Sequence, residues 1–217
     1  NSIVTAHLWN MKSGQIQQVL KDVPYEYLPR AQWSDENTWI VSTLNRLQNE
    51  FNLYAVNAED GTAKAIYHES DDKYLEINDE LYFLADGSFV LLSDRDGWNH
   101  LYHVAANGKI KRQITSGEYN VTRLYGMDAK NTLYYQSTER SPTERNIYSI
   151  RINGRSKSLL TNATGSHNAS FTDDFSLFIN SYSAEGVPTV VTLRNRDGSI
   201  VRTLKTSARA AQALEKY

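Results

Sequence analysis

The chain has 217 residues, room for one large domain or two small ones, and carries 23 basic against 25 acidic side chains for a net charge of −2. That near balance excludes a nucleic-acid or other polyanion binder driven by bulk charge, which needs a clear excess of Lys and Arg. Apolar residues at 40% and charged residues at 22% exclude a disordered chain, no run approaches the ~18 apolar residues of a membrane-spanning helix, and zero cysteines exclude disulfides, thiolate nucleophiles and thiolate metal sites.

The first residue is Asn1 rather than Met, which predicts a processed chain or a piece of something longer. Tyr is used 14 times beside 6 Phe and 4 Trp, and Pro only 4 times. Aromatic enrichment in short alternating runs predicts an all-β chain. Turn signals recur along it: Ser13-Gly14, Asp60-Gly61, Asn107-Gly108, Asn153-Gly154 and Asp197-Gly198, at intervals of 47, 47, 46 and 44 residues. Asn-Gly and Asp-Gly favour tight hairpin turns because the central residues need positive φ. Six residues after each glycine stands Leu20, Tyr67, Ile114, Leu160 or Leu204. Before three of the turns runs the same alternating strand: residues 52–56 (NLYAV), 100–104 (HLYHV) and 146–150 (NIYSI).

Each unit therefore reads as four short strands in meander order repeating about every 46 residues, the period of a β-propeller blade. The expected order is a leading hairpin at 3–20, blades near 26–68, 74–115, 119–161 and 166–205, and a short Ala-rich helix at 207–217. The first, channel-lining strand of each blade is expected near 28–32, 74–77, 121–125 and 167–171. Four and a half blades leave two uncovered faces. If each exposes about 500 Å² of apolar surface, the loss is about 12 kcal/mol per face, comparable to the net stability of a domain. The partial propeller should then be part of a larger ring or pair with a second copy.

Several residues invite sharper readings. His7, His68, His100, His103 and His167 suggest a metal or a base, but His100 and His103 lie three apart on a strand and point to opposite faces, so structural roles are expected and no metal. Asp94, Asp96 and Gly97 read as a tight turn rather than a calcium loop, because no bidentate Glu follows at the required spacing. Arg95 is expected to pair with neighbouring carboxylates, and Trp98 to pack between blades. Asn120, Asn162 and Asn168 begin glycosylation-type triplets, which arise often by chance.

The run Ser93-Asp94-Arg95-Asp96-Gly97-Trp98-Asn99-His100-Leu101-Tyr102, with residues 112–118 (RQITSGE), resembles the N-terminal propeller of the dipeptidyl peptidase IV family in the prolyl oligopeptidase clan of serine peptidases. Residues 133–138 (LYYQST), 144–148 (ERNIY) and 44–49 (LNRLQN) are similar to that family's lines at equivalent places. On this resemblance Arg95, Gly97, Trp98, His100, Tyr102 and Arg145 are structural motif residues. It implies an eight-bladed propeller followed by an α/β-hydrolase domain, and hence release of dipeptides from peptide amino termini after Pro or Ala. The hydrolase nucleophile motif Gly-x-Ser-x-Gly occurs nowhere in these residues.

No catalytic residue is therefore assigned, the chain alone should be inactive, and no cofactor is expected. Its implied role is to gate access and shape the substrate cavity, with Glu76 and Arg123 as candidate channel residues. Implied partners are the remaining blades and hydrolase domain of the same protein, a peptide substrate and a second copy in a homodimer; the implied location is periplasmic or extracellular. Two other classes compete. An independent propeller scaffold would bind another protein through one face. A propeller glycosidase would need two inward carboxylates at a set separation, and nothing in the sequence pairs Glu76 with Asp173.

Overall fold

The structure, a computed structural model, describes residues 4–77 and 80–214. It is all-β apart from one short helix. The order opens with a two-stranded hairpin, β1 (Ala6–Trp9) and β2 (Ile16–Val19). Four sheets follow, each four strands in plain meander order. They are β3 (Ala31–Trp33), β4 (Thr38–Leu44), β5 (Glu50–Asn57), β6 (Ala63–Ser70); then β7 (Leu81–Phe83), β8 (Phe89–Ser93), β9 (His100–Val104), β10 (Ile110–Gln113). The last two are β11 (Val121–Met127), β12 (Thr132–Ser137), β13 (Asn146–Arg151), β14 (Ser158–Leu159); and β15 (Ser166–Phe171), β16 (Leu177–Ala184), β17 (Val187–Asn195), β18 (Ile200–Lys205). α1 (Ala208–Leu214) closes the described chain. Successive independent meanders with no closed barrel are the blades of a partial β-propeller.

The chain forms two compact units, Asn1–Val90 with Val104–Lys111, and Leu91–His103 with Arg112–Tyr217, the boundary passing within the sheet β7–β10. In the first unit, Ala6, Val19 and Leu20 bury against Val41 and Val56 of the following sheet. In the second, Tyr134, Ile147 and Leu160 close over Ala169, Phe175 and Phe178. The second residue of the recurrent third-strand run, Leu53, Leu101 or Ile147, is fully buried in each case.

The five turn glycines all take positive φ, from +69° to +89°. Backbone freedom is half of what the position requires; the other half is proximity. A Cβ at Gly108 would lie 2.5 Å from the Ile66 carbonyl oxygen, and one at Gly198 would overlap the Leu160 carbonyl. At Gly154 the Ile114 carbonyl is 3.4 Å away, and at Gly61 the side chain of Gln17 fills the space. At Gly108 and Gly198 the hairpin tip thus lies against the backbone of the preceding sheet too closely for any Cβ, whereas at Gly154 the approach is ordinary contact and at Gly61 the obstacle is a flexible side chain. Gly14, in the leading hairpin, faces nothing within 4 Å.

One expected strand is displaced. Residues 74–77 alternate like a strand but form a loop, and the first strand of that blade is β7, Leu81–Phe83. The Asp71 carboxylate accepts the amides of Lys73 at 2.7 Å and Tyr74 at 3.3 Å, folding the chain into a turn. The Leu75 amide then donates to the Gln48 carbonyl at 2.9 Å, which plugs Leu75 into the first unit. In the blade before, the strand starts at Ala31 rather than residue 28, since Pro29 has no amide to give to a ladder. The helix ends at Leu214, and residues 1–3 and 215–217, within the expected hairpin and helix ranges, lie outside the described residues.

Candidate functional site

The most specific sequence run forms the connection between β8 and β9. The Gly97 amide donates to the Asp94 carbonyl at 2.8 Å, and Gly97 takes φ +96°. Asp96 accepts the Trp98 amide through one oxygen at 3.2 Å, while Gln113 Nε2 donates to the other at 2.5 Å. Arg95 folds back over its own loop: Nε donates to the Ser93 hydroxyl at 3.1 Å and the guanidinium lies 5.1 Å from the Tyr102 ring centre. Arg95 is thus braced on a hydroxyl and a ring face. Trp98 is 39% exposed, half-open to solvent rather than packed away.

His100, next along β9, is fully buried. Its Nε2 reaches the Gly117 carbonyl at 2.9 Å and Nδ1 the Thr115 hydroxyl at 3.0 Å, with the Tyr119 ring edge-on at 4.9 Å. The Gly117 carbonyl can only accept, so His100 Nε2 carries a proton, and Thr115 Oγ1 also accepts the Leu101 amide at 3.0 Å. The next sheet repeats this device without histidine: Asn146 Nδ2 donates to the Thr161 carbonyl at 3.1 Å, and Thr161 Oγ1 accepts the Ile147 amide at 2.9 Å. Arg145, just before, donates from Nη1 to the Pro142 and Glu144 carbonyls at 3.0 and 2.9 Å. These motif residues tie strand ends and loops together.

The candidate channel residues belong to different compact units. Glu76 is exposed in the loop before β7, in the first unit; Arg123 is exposed on β11, in the second, its guanidinium 5.3 Å from the Tyr125 ring centre. The Tyr125 hydroxyl in turn donates to Asn168 Oδ1 and accepts the Ala169 amide, both at 3.1 Å, so the platform under Arg123 is fixed. Asp173 is an exposed turn residue of the second unit.

Acid–base groups are tuned away from neutrality. Burial pushes the phenols of Tyr134 and Tyr148 up to about 12, aided by the charges of Asp128 and Glu139 respectively, and pushes Tyr119 and Tyr135 higher still. Hydrogen bonds from Ser88 and Ser176 hold the turn carboxylates of Asp86 and Asp174 at about 2. Burial lowers His167, whose Nε2 lies 3.0 Å from the Ala163 carbonyl and Nδ1 3.2 Å from the Asn180 side-chain amide. A neutral His167 donates from Nε2 and accepts at Nδ1. Turning the Asn180 amide so that Nδ2 faces Nδ1 supplies that donor and gives the buried Nδ2 an acceptor that it otherwise lacks. Among the described residues no group of three or more His, Cys, Asp or Glu could hold a metal.

Two features escaped the sequence reading. In the second unit Phe175 takes φ +54° in a turn to stack on Tyr134 at 4.9 Å, within an aromatic cluster that includes Phe171 and Phe178. The only local signal was an apolar residue where a turn wants Asn or Gly. In the first unit a cleft of about 680 Å³ opens beside the leading hairpin, lined among others by His7, Trp9, Ile16, Gln17, Trp33 and Trp39. Trp9 stands 24 residues before Trp33, on a different sheet, so no local pattern announces it.

Four successive meander sheets after a leading hairpin are the blades of a partial β-propeller domain. Residues 1–189 match the family described as the Dipeptidyl peptidase IV (DPP IV) N-terminal region, and the chain belongs to that family. It is 31% identical over 192 residues to a probable dipeptidyl peptidase 4 of Emericella nidulans, an alignment covering 82% of the chain and 25% of that protein. The counterpart from Aspergillus flavus is 25% identical, with 100% and 30% covered. Among solved structures, Porphyromonas gingivalis dipeptidyl peptidase 4 superposes with a TM-score of 0.93 at 35% identity, over 100% of this chain and 31% of that one. A putative dipeptidyl aminopeptidase IV from Bacteroides ovatus, at 22% identity and TM-score 0.77, shares the fold. The chain thus spans between a quarter and a third of the length of these relatives.

Proposed function

We propose that the chain is the non-catalytic propeller portion of a prolyl dipeptidyl peptidase, a serine exopeptidase that releases dipeptides from peptide amino termini. The observation that carries this reading is the family match over residues 1–189 in a sequence that contains no Gly-x-Ser-x-Gly motif. The nucleophile, its base and the oxyanion donors then come from a hydrolase domain of the same protein. The propeller's part is access: its loops narrow the approach to the cavity and its exposed polar side chains, Glu76 and Arg123 among them, meet the peptide before the scissile bond does. A periplasmic or extracellular location fits a peptidase that meets peptide substrates outside the cell.

The test is hydrolysis of a chromogenic Gly-Pro or Ala-Pro dipeptide substrate. The 217-residue chain is expected to show no turnover, while the longer protein containing it cleaves the substrate and releases the dipeptide intact. Turnover by the chain alone, or none by the longer protein, overturns the assignment. Glu76→Ala and Arg123→Ala in the longer protein are expected to raise KM for peptides longer than three residues and leave kcat unchanged; unchanged KM removes these two from the cavity.

A further inference from the structure

β11 belongs to a sheet that has a complete four-stranded sheet before it and another after it. It is the first strand of its sheet, as β15 is of the next, at the edge that faces the central channel of a propeller. β3 and β15 pair with their second strands without a shift, whereas β11 breaks its register twice. The pairing passes from Val121↔Ser137 to Arg123↔Gln136, and from Leu124↔Tyr135 to Gly126↔Tyr134, which leaves Thr122 and Tyr125 as extra residues. Bulges of this kind re-aim the side chains beside them.

What they aim is an arginine on a fixed aromatic ring. The Arg123 guanidinium lies 5.3 Å from the Tyr125 ring centre. The ring itself is held by Phe171 at 5.4 Å, and its hydroxyl is tied to Asn168 Oδ1 and the Ala169 amide. Beside it the Thr122 hydroxyl donates to Gln136 Oε1 at 2.7 Å, and Gln136 Nε2 donates to the His167 carbonyl at 2.6 Å, which locks β11, β12 and β15 together. Arg123 is exposed, and among the described residues no carboxylate pairs with it. Asn168 is exposed at the same ring, and among the described residues its Nδ2 has no acceptor. A guanidinium that is stacked, and not spent on a neighbour, offers its planar fork for two parallel hydrogen bonds to a carboxylate and loses little freedom in making them.

Resting on the peptidase reading, we propose that Arg123, with Asn168 Nδ2 beside it, is a receptor for a carboxylate on the part of the substrate downstream of the released dipeptide, and that Tyr125 is its positioning residue. The carboxylate is that of an acidic side chain or of the peptide's own carboxyl terminus. Peptides anionic at the matching distance from the scissile bond are therefore preferred over neutral ones. An exposed pair of this kind is worth about threefold to fivefold, felt in KM.

The longer protein containing this chain is assayed on amidated peptides that begin Ala-Pro and continue in Ala, with a single Glu walked through each position after the third and a Gln twin for every member. A second set, all Ala after the first two residues, compares free-acid with amide ends at each length. A Glu-over-Gln ratio in kcat/KM of about threefold to fivefold at one or two adjacent positions marks a side-chain carboxylate, and an acid-over-amide ratio of that size at one length marks the terminus; either falls towards one at high salt. Arg123→Gln is expected to bring the ratio to one, Tyr125→Leu to do nearly the same, and Tyr125→Phe, which keeps the ring and loses its tether, to fall between. Each readout is a ratio within one protein, so a general loss of stability or activity cancels, and circular dichroism checks folding; Arg123 is exposed, so its variant carries the decision if Tyr125→Leu fails to fold. Ratios near one at every position and length, in a protein that cleaves the Ala-Pro chromogenic substrate, overturn this inference alone. No cleavage of that substrate removes the peptidase reading and this inference with it. A preference that survives Arg123→Gln overturns the assignment of the receptor, and one that survives intact in folded Tyr125→Leu overturns the positioning role.

Discussion

Substituting Gly108 by Ala separates the two demands made on a blade-tip glycine. The natural control is Gly14→Ala, because Gly14 holds the same repeat position in the same compact unit at φ +74°, against +82° at Gly108. Both variants force an L-residue into the left-handed region, costing about 1–2 kcal/mol. Reduced freedom of the unfolded chain offsets about 0.4–1 kcal/mol of that. Only Gly108→Ala adds a collision: its Cβ would sit 2.5 Å from the Ile66 oxygen and 3.2 Å from the Ile66 carbonyl carbon. Ordinary carbon–oxygen approaches begin at about 3.3 Å, so the tip must retreat by roughly 0.8 Å. Overpacking against backbone costs about 1–3 kcal/mol. Gly14→Ala should therefore destabilise by about 1 kcal/mol and Gly108→Ala by about 2–4 kcal/mol. Urea unfolding followed by far-ultraviolet circular dichroism, with unchanged m-values, reads the difference. Equal losses within about 0.5 kcal/mol would refute the claim that close approach, and not φ alone, selects glycine.

Three further outcomes follow from the same contacts. Burial lowers the His167 pKa below its ordinary 6.5, so the folded state binds fewer protons than the unfolded one; stability is full above about pH 6.5 and falls as pH drops below it, and His167→Gln should remove that component from a pH series of unfolding midpoints. Asp86 and Asp174, held at about 2, contribute stability present above pH 3.8 and lost as pH falls towards 2; Asp86→Asn and Asp174→Asn should flatten acid unfolding in that window. In an alkaline absorbance titration the buried phenols of Tyr119, Tyr134, Tyr135 and Tyr148 should stay protonated after the exposed tyrosines have ionised, appearing only with unfolding; full ionisation of all 14 near pH 10 in folded protein would contradict their burial.

The blade repeat was legible because its constraints are local. Positive φ at a hairpin tip selects Gly, and a half-buried strand imposes period two on residues 52–56, 100–104 and 146–150. The same logic misplaced β7: Leu75-Glu76-Ile77 has a strand's alternation, but the Asp71 turn and the Gln48 carbonyl, 27 residues earlier than Leu75, decide its path. The loop motif was legible as a family likeness, whereas its mechanics were not. Arg95 reaches a serine and a ring that sequence spacing cannot select over the neighbouring aspartates. Phe175 and the Trp9, Trp33 and Trp39 cleft depend on tertiary packing between distant segments, which no window of neighbouring residues encodes.

Amide hydrogen exchange, read peptide by peptide along the chain, tests the repeated-blade account most directly. The account predicts slow exchange recurring at blade intervals in the central strands β4–β5, β8–β9, β12–β13 and β16–β17, with β18 and the β1–β2 hairpin exchanging fast at low protein concentration. A single protected core spanning one stretch of sequence, or slow exchange in β18 of the isolated chain equal to that in β13, would contradict it.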